Sequence, residues 1–339
     1  MPKLRMRQAI AAAIADEMEA DERVVLLGED VGDAEGVFKT SEGLLGRFGS
    51  QRVKDTPIAE MGFLGVAVGV AAAGYRPIVE IMFGEFMGVA LDQLSTQAAK
   101  MRYLSRGEFT SPMVVRMSVG PGLGFGAQHS QTLETWFANT PGLKVVEPCG
   151  AASAYGLLRA AIRDEDPVVF LEPRVLYGER EEVDLSKYHE YQIGKARTVV
   201  GGSDVTVVAV GQTVPIAVSA AAEASVSVEV IDLGSISPWD VDCVAESVER
   251  TRRLVVVEAN PYSGGWGAQI VAEIGSLCHG KLVAPSHRIT CPDVPVPYAF
   301  ELEAMYAPTV RSVKEQLDQL VATGALPEPW WHTNNREQR

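Results

Sequence analysis

A chain of 339 residues is longer than one hydrophobic core commonly supports, so two domains are expected. Hydrophobic residues make up 47% and charged residues 22%, the balance of a soluble globular protein, and no apolar run is long enough to span a bilayer. The formal net charge of -14, without any basic run, excludes a nucleic-acid partner and suits a basic protein partner instead.

In chain order, Ile10, Ile14 and Met18 fall four apart on one face of an amphipathic helix, which is no signal-peptide core, so a cytoplasmic location is expected. From residue 24, short β-rich apolar runs alternate with helical patterns: VVLLG, RPIVEIMF from Arg76, MVVRMSV from Met113, LKVVEP from Leu143 and PVVFLEP from Pro167. Between them, residues 58–74, 88–105 and 151–164 read as helices, the first apolar enough to be deeply buried. This alternation predicts an α/β domain over 1–185, a mainly parallel sheet covered by helices. Residues 186–199 read as a linker within a charged, aperiodic stretch. A second α/β domain is expected over 200–325, with strands at VTVVAVG, SVEVIDL and RLVVVEAN, followed by a loosely ordered tail, 326–339. Cys149, Cys243, Cys278 and Cys291 are widely spaced and form no CxxC pair, which favours reduced, inert thiols.

Glu60 is the only charged residue from Pro57 until Arg76. A carboxylate in so apolar a helix is either functional or an N-terminal helix acid favoured by the macrodipole. His129 lies in GAQHSQ, a polar loop after a strand, where open α/β sheets place reactive groups, although a lone loop histidine is commonly structural. The preceding GPGLGFG, Gly120 to Gly126, lacks the GxGxxG spacing and a helix-opening Lys, so it reads as a flexible active-site loop and not a phosphate cradle.

Seven ordered motifs, LLGEDV (26–31), DTPIAEMGF (55–63), RPIVEIMFGEF (76–86), LDQ (91–93), GAQHSQ (126–131), PGLKVVEP (141–148) and AIRDEDPVVFLEP (161–173), resemble the beta subunit of the decarboxylating component of 2-oxo acid dehydrogenase complexes, over residues 4–322. The resemblance implies a transketolase-like pyrimidine-binding domain followed by a transketolase C-terminal-like domain, and thiamine diphosphate as cofactor. It assigns Glu60 to the ring nitrogen of the cofactor's aminopyrimidine. A proton or hydrogen bond there favours the imino tautomer, which can take the proton from the thiazolium carbon. It also places Ile58, Met82 and Phe86 against the pyrimidine, and gives His129 a role near the reacting carbon or the incoming lipoyl group. Glu29 and Asp92 would join Glu60 in a chain of buried acids sharing protons between two sites. AIRDED is similar to a structural potassium loop, with carbonyls of Ala161 and Ile162 and with Asp164 and Asp166 as ligands, although Asp166 stands where the family often has Asn.

The family's Mg²⁺ motif, GDG followed some way on by Asn, is missing, so the resemblance implies that an alpha subunit holds Mg²⁺ and the diphosphate in an α₂β₂ heterotetramer. From Gly201 to Leu320 fifteen acids face seven bases, which, with the family likeness, points to docking of a lipoyl acyltransferase on the second domain. Three other readings remain in view: an acetoin dehydrogenase beta subunit or specialised acyl-forming decarboxylase, a non-catalytic docking subunit, and a nicotinamide dehydrogenase. The last would need a glycine fingerprint that LLGEDVGDAEG does not supply.

Overall fold

The computed structural model describes residues 1–332, and the last seven residues of the expected tail lie outside them. The chain divides into two compact units, one of residues 1–119 and 136–193, the other of residues 120–135 and 194–339. The boundary near residue 193 falls inside the expected linker. Residues 120–135 depart from the linear division, because they group with the later unit although they lie within the first sequence domain.

In the first unit, α1 (Met6–Ala20) precedes β1 (Val24–Gly28), β2 (Val53–Asp55) and α2 (Glu60–Ala72). Then come β3 (Arg76–Phe83), α3 (Met87–Asp92), β4 (Val114–Val119), β5 (Lys144–Val146), α4 (Ala151–Arg163) and β6 (Val168–Pro173). The six strands run in the order β5-β6-β4-β3-β1-β2, every neighbouring pair parallel. Strands β1, β4 and β6 are buried at every residue, which is why they read as mainly apolar and not as alternating, with Arg116 on β4 and Glu172 on β6 as the charged exceptions. The helices α1 and α4 pack on one another through Ile10, Ile14, Tyr155 and Leu158, the buried stripe that the four-residue spacing in α1 predicts.

Helix α2 corrects the expectation of deep burial. Phe63, Leu64, Ala67, Val68 and Ala71 are buried, but Met61 and Val66 are each 58% exposed. Its composition is apolar all round, yet the sheet can cover only one face, so the other is left open on this chain.

In the second unit, β7 (Arg197–Val200) precedes β8 (Val205–Ala209), α5 (Thr213–Glu223), β9 (Val228–Asp232), α6 (Val241–Thr251) and β10 (Leu254–Pro261). After these come α7 (Gly267–Leu277), β11 (His287–Cys291), the short α8 (Phe300–Glu303) and α9 (Val310–Thr323). The sheet order is β11-β10-β8-β9-β7, parallel except for β7 at the edge. The start of the tail is not loose. Trp330 is buried and its indole Nε1 donates to the Thr290 carbonyl at 2.8 Å, while Gln316 Nε2 donates to the Glu328 carbonyl at 2.6 Å. Two prolines made this segment look unstructured, but an apolar indole with a buried acceptor within reach anchors it.

Candidate active site

Strand order in the first unit reverses beside β1, whose neighbours are β2 on one side and β3 on the other. Open parallel sheets bind ligands outside the carboxyl ends of their strands at such a switch point. The segments that leave these three ends carry Glu29 after β1, Ile58 and Glu60 after β2, and Met82 and Phe86 at and beyond the end of β3.

Glycine 28 lets the chain turn into Glu29, because a Cβ there would lie 2.9 Å from the Glu80 carbonyl oxygen and 2.8 Å from Val31 Cγ1. The loop that follows is held from both sides. Asp55, the last residue of β2, accepts from Gly32 N at 2.6 Å and Asp33 N at 3.1 Å, and Ser41 Oγ donates to the Val31 carbonyl at 2.7 Å. Thr40 Oγ1 donates to Glu80 Oε2 at 3.0 Å from the buried face of β3.

Burial pushes the Glu29 carboxyl above the usual glutamate range, and the negative charges of Glu60 and then Asp30 push it further. Its Oε1 is buried without a hydrogen-bond partner. Two carboxyls close enough to repel, one with an unsatisfied oxygen, form a site that favours a shared proton or a ligand donor. Beside them Ile58 is 85% exposed, and Met82 and Phe86 are half-buried. Phe86 packs edge-on to Phe83 at 5.5 Å, and Phe83 lies under the Arg174 guanidinium at 4.8 Å, so the aromatic wall rests on a fixed base. Ser118 Oγ donates to the Met82 carbonyl at 2.5 Å and fixes the strand where that side chain emerges.

Asp92 departs from the expected set of buried acids. It is exposed at the end of α3, whose turn directs Met87 and Ala90 inward. His129 belongs to the second unit. Its backbone N donates to the Gly126 carbonyl at 3.3 Å, and the loop carrying it is closed by Gly120 N donating to the Gln131 carbonyl at 3.1 Å. The Gly-rich segment does cradle an anion after all, and the anion is Glu303: its carboxylate accepts from Gly122 N at 2.8 Å and Gly124 N at 2.7 Å.

The AIRDED loop does not fit a potassium ion, because protein donors already engage the proposed ligands. Arg76 Nη1 donates to the carbonyls of Ile162 at 3.1 Å and Asp164 at 3.0 Å, and the Ala161 carbonyl accepts from Asp164 N at 3.2 Å. Lys144 Nζ lies 2.7 Å from both Asp164 carboxylate oxygens, and Arg102 Nε donates to Asp166 at 2.5 Å. Arg76, Lys144 and Arg102 thereby already neutralise the loop's carboxylates, Glu165, Asp164 and Asp166, and leave little net charge to attract another cation. Among the described residues, no group of three or more His, Cys, Asp or Glu side chains is placed to hold a metal ion.

Beneath the site lies a set of charges not anticipated from the sequence. Arg116 on β4 donates through Nε and Nη2 to Glu172 on β6 at 2.7 and 3.1 Å, and through Nη1 to Glu80 on β3 at 2.9 Å. The Tyr177 hydroxyl donates to Glu172 at 2.5 Å. Burial opposes the charge on Arg116, but Glu172 and then Glu80 outweigh it and hold the guanidinium firmly cationic. Burial is also the main influence on Glu172, whose carboxyl is raised despite Arg116. The signal was visible: RPIVEIMF carries Glu80 in its apolar interior beyond the leading Arg76, MVVRMSV and PVVFLEP each carry a single charge, and parallel neighbours bring Glu80, Arg116 and Glu172 together.

Residues 2–180 match the model of the transketolase pyrimidine binding domain, and residues 194–313 that of the transketolase C-terminal domain. A pyruvate dehydrogenase E1 component subunit beta-2 of mitochondria from Oryza sativa subsp. japonica is 44% identical over 317 residues, 92% of this chain and 84% of the relative. The pyruvate dehydrogenase E1 component subunit beta of Rhizobium meliloti is 44% identical over 316 residues, covering 92% and 69%. In fold, the chain is similar to a split-gene transketolase solved as an inactive beta4 tetramer, with a TM-score of 0.77, 23% identity, and coverage of 94% of this chain and 98% of the other.

Proposed function

Because this chain belongs to the family of pyruvate dehydrogenase E1 beta subunits, built from transketolase pyrimidine-binding and C-terminal domains, we propose that its carboxylate pair at the sheet's switch point activates thiamine diphosphate shared with an alpha subunit. The family is thiamine-diphosphate dependent, and the chain is a 2-oxo acid dehydrogenase component of pyruvate-dehydrogenase type. The observation that carries the reading is the Glu29–Glu60 repulsion beside an open apolar surface.

Those residues fit the pyrimidine half of the cofactor. Ile58, Met82 and Phe86 offer a flat apolar wall, and the carboxylates offer partners for a ring nitrogen. When bound, the cofactor supplies the carbon nucleophile and electron sink for decarboxylation of a 2-oxo acid. Glu60 would hydrogen-bond the ring nitrogen through its carboxyl, and Glu29, whose carboxyl is raised by burial and by the charge of Glu60, stands beside it as a proton partner. The apolar wall orients the ring and excludes water. His129 steadies the acyl group on its way to a lipoyl acceptor.

The alpha subunit holds the diphosphate and Mg²⁺. The exposed face of α2, with Met61 and Val66, together with exposed Val89, Tyr103 and Leu104 in the same unit, supports a large apolar partner surface of the kind an obligate subunit covers. The acyltransferase docks on the acidic second unit, in the cytoplasm. No helix of the described residues is long and apolar enough to cross a membrane. Pyruvate is the first substrate to test, with branched-chain 2-oxo acids and acetoin as comparators.

Co-expression with the alpha subunit and assay of Glu60→Gln tests the reading. The variant assembles and retains cofactor, but decarboxylates about 10² to 10⁴ times more slowly, the range for loss of a positioned acid or base. Turnover equal to wild type removes Glu60 from the chemistry.

A further inference from the structure

We propose that Glu303 is a positioning residue, whose buried carboxylate fills the backbone nest of the Gly120–Gly126 loop and sets the position of His129; this rests on the role assigned to His129 above. Alternate glycines of the loop, Gly120, Gly122, Gly124 and Gly126, all have positive φ, at 91°, 116°, 71° and 69°. Backbone folded in this way turns successive N–H groups toward one point, a concavity that binds anions. Here the anion is internal. One Glu303 oxygen takes the Gly122 N–H at 2.8 Å and the other takes the Gly124 N–H at 2.7 Å, and Glu303 itself is 4% exposed.

The helix that carries Glu303 also packs against the loop. A Cβ at Gly124 would lie 2.7 Å from Phe300 Cζ, and one at Gly126 would lie 3.2 Å from Tyr298 Cδ2, so the approach is close, and the positive φ at both positions favours glycine there. The chain then runs directly to the histidine: Gly126 accepts from His129 N, and the Gly120–Gln131 bond closes the loop. Fixing Gly122, Gly124 and Gly126 therefore leaves His129 little backbone freedom. A residue in the last third of the chain governs a motif more than 170 positions earlier, and the motif itself belongs to the unit that supplies the clamp. Hydrogen bonds from two N–H groups to one carboxylate are charge-assisted and stronger than neutral ones.

The test uses the assembled enzyme with Glu303→Gln, Glu303→Ala and His129→Ala. Amide exchange at Gly122 and Gly124 is expected to rise about tenfold or more in Glu303→Ala and less in Glu303→Gln, which keeps one acceptor oxygen. Acyl transfer to the lipoyl domain should fall by about tenfold or more in kcat, with KM for the 2-oxo acid little changed, while decarboxylation measured with an artificial electron acceptor falls by a smaller factor. A general loss of fold would lower both half-reactions alike. Unchanged exchange in both Glu303 variants overturns the clamp. Faster exchange with intact acyl transfer, while His129→Ala loses that transfer, overturns the positioning role alone. Intact transfer in His129→Ala overturns the underlying role of the histidine, and the proposal falls with it.

Discussion

Arg116 shows how far a single side chain is committed once its neighbours are fixed. It is fully buried between two glutamates, so its removal strands negative charge in the core of the sheet. Breaking a buried ion pair from one side typically costs about 3 to 5 kcal/mol, and Arg116→Met is expected to lose stability on that scale in urea unfolding of the chain. A loss below about 1 kcal/mol contradicts the assigned network. Glu258 makes a prediction of opposite kind. It is buried beside Arg288, and burial pushes its carboxyl up to about 7 from an ordinary value of 4.5, despite the lowering effect of the guanidinium. The folded chain therefore holds a proton that the unfolded chain releases between these two values, so Glu258 contributes stability that is lost as pH rises through that window. In Glu258→Gln this dependence is gone, and the difference in Tm between variant and wild type should move in the variant's favour from about pH 5 to about pH 8. A difference that stays flat or moves the other way contradicts the assignment.

Among the elements, most of the parallel strands were legible because they are mainly β-branched or apolar runs, and α1 because its apolar residues recur every fourth position; β2, with the sequence VKD, and β11, with HRITC, were not, being short or polar. Glu60 stood out as an isolated charge in apolar surroundings, whereas Glu29, next to Asp30, carried no such signal and was picked out only through the motif resemblance. The exposed face of α2 was not, because composition cannot tell whether its covering partner lies in the same chain. Asp92 lies exposed on this chain at the end of α3, so its place among the acids rests on the resemblance alone. The allegiance of residues 120–135 was hidden because it comes from contacts with residues far away in sequence, among them Ala259 and Glu303. The AIRDED loop shows the limit of motif transfer. Its spacing matches a cation site, but Glu165 pairs with Arg76 and Asp166 with Arg102, so acids at these two positions bring guanidinium groups onto the loop. Replacing K⁺ by Na⁺ or tetramethylammonium at constant ionic strength should accordingly leave Tm within about 1 °C, since a bound ion at 100 times its Kd contributes about 2.7 kcal/mol and moves Tm by several degrees. A rise of that size specific to K⁺ contradicts the account of the loop.

For the whole molecule, the distribution of parts is uneven. The first unit presents an apolar wall and a carboxylate pair, the second carries His129 on a clamped loop of its own, and the motif for Mg²⁺ and diphosphate is missing from the sequence. Exposed apolar residues on α2 and elsewhere in its unit are the counterpart of that incompleteness, because a surface of this kind is stable in water chiefly when a partner covers it. The central claim is that this chain supplies the activating half of a cofactor site completed by another subunit. Isothermal titration of thiamine diphosphate with Mg²⁺ into the isolated chain, and into the same chain co-purified with its alpha subunit, tests that claim most directly. The account predicts tight, Mg²⁺-dependent binding only in the assembled enzyme. Mg²⁺-dependent binding to the isolated chain with a Kd of about 1 μM, worth about 8 kcal/mol, would contradict it.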